Sequence, residues 1–212
     1  MKSKTLASAA RVLSLLLLVS VTCALAQDRK PLHFTGLLND YAPLSTISGS
    51  PWEMHGQWTL DLYPERGTAD FEADMTMSGF GRVAATGAVD PTQPLVNPHT
   101  HHVKLTNVKI TWNMVGCPTY LTPTPTAGFQ INDTVSLLTG NGQIAPFETN
   151  PPSSTLQVCI TGGTGVPYTV ANSNMTMVFG GLAATKHFGP QAIHGVVRKT
   201  PAEPIGIREF DR

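Results

Sequence analysis

Hydrophobic and polar positions alternate along much of this chain with a period of two, the pattern of strands with one buried and one wet face. Trp58, Leu60 and Leu62 alternate with Thr59, Asp61 and Tyr63. After the turn residues Pro64, Glu65, Arg66 and Gly67, the hydrophobic set Ala69, Phe71, Ala73, Met75 and Met77 alternates with Asp70, Glu72, Asp74 and Thr76. Two such runs about a turn predict an antiparallel hairpin. The same signal returns at Leu156, Val158 and Ile160, and again at Met175, Met177 and Phe179. Further strands are expected over residues 101–112, 129–138 and 191–197.

One of these strands carries a phase slip. Val103 and Leu105 are odd-numbered, whereas Val108, Ile110 and Trp112 are even. A pleat cannot bury both sets, so a bulge is predicted near Thr106 and Asn107. In another, Phe129, Ile131, Asp133, Val135 and Leu137 would share a face and place a carboxylate among apolar groups. The reading preferred here is a two-residue turn at Asn132 and Asp133, a common use of that pair. Glycine runs at residues 161–165 (TGGTG) and 179–181 (FGG) lack the Lys-Ser/Thr of a phosphate loop and read as hairpin turns. Beyond residue 26 no segment shows sustained helical periodicity. The pattern predicts an all-β, antiparallel, single-domain barrel of about eight to ten strands, with a two-sheet sandwich as the alternative.

The N-terminus reads differently. Lys2, Lys4 and Arg11 precede an apolar run over residues 12–21, and Ala24-Leu25-Ala26 supplies a small-x-small cleavage pattern. The run falls short of the roughly 20 apolar residues that span a membrane, but it suits a secretory signal. The expected organisation is a signal peptide over 1–26 cleaved after Ala26, one β domain over 27–198, and a loosely held tail over 199–212. The expected destination is the periplasm or the exterior, with no integral membrane segment in the mature chain.

The formal charge of the whole chain is zero, and removing the three basic leader residues leaves the remainder slightly acidic. No basic footprint for nucleic acid remains. Cys117 and Cys159 persist after cleavage, and in an oxidising compartment an isolated pair predicts a disulfide. Cys159 falls on the polar side of its strand, so the bond should tie the Pro/Thr-rich loop around Cys117 across the outside. Asn132-Asp-Thr and Asn174-Met-Thr match the N-glycosylation pattern, which matters only in a eukaryotic secretory pathway.

Gly56-Gln57-Trp58 resembles the G-x-W strand opening of the calycins, the lipocalin and avidin-like barrels. That resemblance implies a barrel whose tryptophan packs across the closed end beside a late arginine, here Arg198. It also implies an interior lined by Trp58, Leu60, Phe71, Met75, Met177 and Phe179, holding a small apolar ligand or simply packed as a core.

Candidate chemistry centres on residues 97–105, NPHTHHVKL. On a strand, His99 and His101 face the same way and His102 faces the opposite way. Two imidazoles need a third ligand to hold a transition metal such as zinc or copper. The expectation is solvent-facing histidines at a strand end with no cofactor; the alternative is a divalent metal on His99, His101 and, of the distant histidines His187 and His194, His194. The H-x-H spacing is similar to that of the cupins, but Leu105 and Thr106 stand where that pattern has a glutamate. Glu72 and Asp74 share a polar face, as paired glycosidase acids would, with nothing nearby to suggest a sugar cleft. No G-x-S-x-G, H-E-x-x-H or S-x-x-K motif is present. No catalytic residue is therefore assigned. The leading expectation is a non-catalytic exported barrel that binds a small apolar ligand or serves a structural, cell-envelope role, with a small molecule or an envelope component as its partner. A metal-dependent enzyme built on the H-x-H pair and a surface interaction protein are the alternatives.

Overall fold

The structure is a computed structural model that describes residues 30–42, 52–80, 95–118, 127–140, 153–162, 173–189 and 191–201. The chain divides into Met1–Lys30 and Pro31–Arg212, and the second unit holds the fold described below. The expected leader and the chain beyond residue 201 lie outside the described residues.

The strands are β1 (Leu32–Ala42), β2 (Trp52–Tyr63), β3 (Thr68–Phe80), β4 (Leu95–Thr111), β5 (Gly128–Thr134), β6 (Leu137–Gly140), β7 (Thr155–Thr161), β8 (Asn174–Gly180) and β9 (Ile193–Lys199). A short helix, α1 (Leu182–Phe188), joins β8 to β9. The sheet runs β3-β2-β1-β9-β8-β7-β5-β4, and β4 pairs back onto β3. Eight antiparallel strands thus close into a barrel, and β6 is an extra strand on β4. Closure removes the exposed edges that an open sheet would leave.

The predicted hairpin is β2–β3, with Leu60 opposite Phe71 and Trp58 opposite Ala73. Its apolar set faces inward and is buried: Trp58, Leu60, Leu62, Ala69, Phe71, Ala73 and Met75 are each at most 1% exposed. Met175, Met177 and Phe179 on β8 and Phe34 and Leu38 on β1 complete the same core. All six residues expected to line the barrel are members of it. On β1 the partner of Trp58 is Gly36, which offers no side chain. A Cβ on Gly36 would sit 2.4 Å from its indole carbons and 2.1 Å from the Val196 carbonyl.

The expected bulge is present. Asn107 adopts a φ of 55°, and its backbone N–H donates to Asp70 Oδ1 at 2.6 Å. The register opposite slips between Ala69 and Phe71, so Leu105 pairs with Phe71 and Val108 with Ala69. Both apolar sets therefore reach the interior from one strand.

Three expectations are corrected. Asn132 and Asp133 do not turn: Asp133 stays in β5 opposite Leu156 and is exposed, its Oδ1 accepting the Thr134 N–H at 2.7 Å. The strand expected over 129–138 breaks instead at Val135 and Ser136. There the Val135 N–H donates to the Ser154 carbonyl and the Ser136 N–H to the Lys104 carbonyl, passing the chain from β7 to β4. FGG is no hairpin turn either, because Gly181 opens α1. Gly181 and Gly189, at φ 92° and 91°, bracket the helix with left-handed backbone that only glycine adopts without cost.

Cys117 and Cys159 form the expected disulfide, and with Met114 they make a small apolar cluster separate from the main core. Gln130 and Gln157 anchor the same loop. The Gln130 side-chain amide donates to the Val115 carbonyl at 2.6 Å, and that of Gln157 to Gln130 Oε1 at 2.7 Å.

Candidate metal centre

Helix α1 covers the barrel end at which β8 stops and β9 begins. It is short, but its i, i+4 pair Ala184 and Phe188 is fully buried and joins the barrel core. The Phe188 ring stacks on Phe179 of β8 with centroids 4.0 Å apart and an interplanar angle of 15°. Thr185 Oγ1 donates back to the Phe179 carbonyl at 3.3 Å. Those contacts set the preceding residue, His187, against β4.

On β4 the alternation acts as expected. His99 and His101 share one face, opposite Met77 and Met75 of β3, and His102 points the other way. His187 Nε2 lies 3.2 Å from His99 Nε2 and 3.0 Å from His101 Nε2. The metal-capable nitrogens of all three rings fall within 4.8 Å of one another. Two nitrogens on a tetrahedral ion with ~2.0–2.1 Å bonds stand ~3.3 Å apart, so two of the contacts are already close to coordination spacing.

The tautomers can be argued from the partners. His101 Nδ1 lies 3.3 Å from the Thr139 carbonyl oxygen, which only accepts, so Nδ1 carries the proton. His101 Nε2 is then a lone pair aimed at His187 Nε2. A neutral His187 has at most one Nε2 proton, which must serve both the His101 and the His99 contacts. Converging imidazole nitrogens of this kind form a donor set that could hold a metal ion. The Nδ1–H bond to a carbonyl is also the outer support that metal-ligating histidines commonly have.

Burial, with His187 and His99 alongside, pushes the His101 imidazole down to about 3. Burial and the neighbouring His99 push His187 down to about 4. Both rings are therefore neutral through the neutral and mildly acidic range, the form in which imidazole binds metal. His101 is 3% exposed, and Phe188 packs edge-on against it with centroids 5.0 Å apart. An open groove of about 490 Å³ on the outer surface, bordered by Thr76, Thr100, Thr139 and Gly140, reaches His101.

His194 takes no part in this cluster. Ile193, Gly195 and Val197 of β9 are buried, so His194 is turned outward. There its Nδ1 pairs with Asp40 Oδ2 at 2.9 Å, and its backbone N–H donates to the same oxygen at 2.7 Å. The third imidazole comes instead from His187, on the helix that strand periodicity did not reveal. The outward His102 is held by Asp74 at 2.6 Å and Glu72 at 3.2 Å, and Lys104 holds Glu72 at 3.1 Å. The two acids considered as a catalytic pair thus belong to a surface charge network. Arg198 is exposed and borders an outer groove with Gln57, Glu72 and Asp74, a groove that Trp58 also touches.

The class defined by fold and site is an eight-strand antiparallel barrel with a three-histidine cluster under a helical cap. Comparison with protein-family models, curated proteins and solved structures finds no match to this chain.

Proposed function

We propose that this protein is an exported β-barrel that binds a transition-metal ion through His99, His101 and His187. The observation that carries the reading is the convergence of three imidazoles, two of them neutral by burial, on His187 Nε2 at 3.0 and 3.2 Å. The apolar run ahead of a small-x-small motif and the Cys117–Cys159 disulfide support export. Among the described residues no helix is long and apolar enough to cross a membrane. Full burial of Trp58, Leu60, Phe71, Met75, Met177 and Phe179 in one core favours a filled interior over a cavity for an apolar ligand.

The test is metal analysis of protein purified without chelators, followed by thermal titration of the stripped protein with zinc and copper. One ion per chain is expected. An ion at 100 times its dissociation constant adds about 2.7 kcal/mol of stability. His101→Ala and His187→Ala should abolish the response, and His194→Ala should leave it intact. A wild-type protein that retains no ion and gains no stability from either metal refutes the proposal.

A further inference from the structure

The three imidazoles leave open what else surrounds the ion and which ion the surroundings prefer. The strand register supplies an answer. Met54, Met77 and His99 lie side by side on β2, β3 and β4, and in the next inward row Gly56, Met75 and His101 do the same. The three methionines are 0%, 5% and 1% exposed, so their thioethers face the barrel interior with the histidines. Direct cross-strand partners have Cβ atoms ~4.5–5.5 Å apart, which puts the flexible Met77 side chain within reach of whatever His99 holds. Met54 is one strand further on, another ~4.8 Å away. Met75 is paired with the more deeply buried His101.

Oxygen donors are turned elsewhere. Glu72 and Asp74, the carboxylates of β3 nearest this site, project from the opposite face and are tied to His102 and Lys104. The Thr139 carbonyl is engaged by His101 Nδ1. Among the described residues, the donors that face this site are imidazole and thioether. Imidazole suits zinc and copper alike, whereas thioether sulfur selects copper(I). Charge points the same way. Imidazole and thioether bring no negative charge to a site in which His101 is buried and His99 and His187 are half-buried. Ion desolvation rises as the square of the charge, so a monovalent ion is tolerated there far better than a divalent one.

Resting on the metal-binding reading above, we infer that the preferred ion is copper(I) and that the Met77 thioether joins His99, His101 and His187 around it. The experiment uses the metal-stripped mature protein. Copper(I) affinity is measured anaerobically with ascorbate against a colorimetric copper(I) chelator, and zinc affinity against a chromophoric zinc chelator. X-ray absorption at the copper edge then reports the ligands. Wild type should bind copper(I) more tightly than zinc, with one sulfur among the nearest scatterers. Met77→Leu conserves volume and leaves the core filled, which its unchanged thermal melt in the metal-free state would verify. It should weaken copper(I) about 10-fold or more, leave zinc within about twofold, and lose the sulfur signal. Met77→Ala, which removes the sulfur and also opens a void, should show the same metal selectivity even if its melt falls.

Unchanged copper(I) affinity in Met77→Leu, or a sulfur signal that survives it, overturns the assignment to Met77. Zinc bound more tightly than copper(I) overturns the choice of ion. Either result leaves the three-histidine reading standing. Failure of wild type to take up either metal ends that reading itself.

Discussion

Burying His101 and His187 as neutral rings should make the metal-free barrel acid-labile in a defined window. In the folded state their pKa values are held at about 3 and about 4, against the ordinary 6.5. Between those limits the unfolded chain binds protons that the folded chain refuses. Stability is therefore fully present above pH ~6.5 and is lost as the pH falls toward the folded values. At pH 5 a histidine with an unfolded pKa of ~6.5 stabilises the unfolded state by about 2 kcal/mol, so the two together cost about 4 kcal/mol. This is an upper bound, because local opening of α1 would let His187 take a proton without global unfolding. Against a typical total of about 5–15 kcal/mol the loss is large. The assay is denaturant unfolding followed by circular dichroism at pH 8 and pH 5, with chelator present, on wild type and on His101→Leu/His187→Leu. Carboxylates titrate in both proteins, so the difference between the two isolates the histidines. Wild type should lose more than the variant, by up to about 4 kcal/mol. The variant should match or exceed wild type at pH 5, since apolar replacement of buried polar groups is often neutral or stabilising. Parallel pH dependences would refute the reasoning, because they would mean that the imidazoles titrate as freely in the fold as outside it.

The remaining predictions concern the scaffold. The disulfide closes a separation of 42 residues. Breaking it with Cys117→Ala/Cys159→Ala should cost about 4 kcal/mol in the chain-entropy model, a drop of roughly 8–16 °C in Tm. A shift under about 2 °C by calorimetry would contradict this. Gly36→Ala drives a methyl into the Val196 carbonyl and the Trp58 indole and should cost about 3 kcal/mol or more, with altered tryptophan fluorescence. Gly67→Ala, at φ 65° with open space around it, should cost only about 1 kcal/mol, and equal losses at the two positions would count against the packing argument. Phe188→Ala removes the ring stacked on Phe179 and should cost about 3–5 kcal/mol, with faster amide exchange across α1.

The strands were legible because alternation is local: each inward residue of β2 and β3 announces itself by its neighbours two positions away. The bulge at Asn107 was legible for the same reason, since one strand with two phases has to break its pleat. Where the alternation was ambiguous, the reading failed. Over residues 191–197 the hydrophobics Ile193, Val196 and Val197 fit neither phase cleanly. Nothing in that stretch told that Val196, at 54% exposure, and His194 share the outer face. Asn132-Asp133 carries turn chemistry, but the pairing of β5 with β7 overrides it. Helix α1 spans only seven residues, too few for a periodicity to accumulate. A signal was nevertheless present, because Gly181 and Gly189 enclose a run rich in helix formers, with Ala184 and Phe188 four positions apart.

That short helix explains why the functional reading depends on tertiary structure. An antiparallel barrel closes its sides by hydrogen bonding, but its ends must be covered by something else. Here the β8–β9 connection supplies a plug whose burial rests on Phe188 and Ala184. A purely structural plug would be best served by an apolar residue beside Phe188 and an apolar strand beneath it. Instead the chain has His187 against His99 and His101, and burial holds the pKa values of His101 and His187 well below the ordinary imidazole value. Holding His101 and His187 uncharged costs the fold stability as the medium turns acid. An ion bound there would join the helix to a strand 86 residues earlier in the chain. The proposed ion binding and closure of the barrel end would then be one equilibrium: whatever stabilises the docked α1 would tighten the ion, and the ion would in turn hold α1 in place.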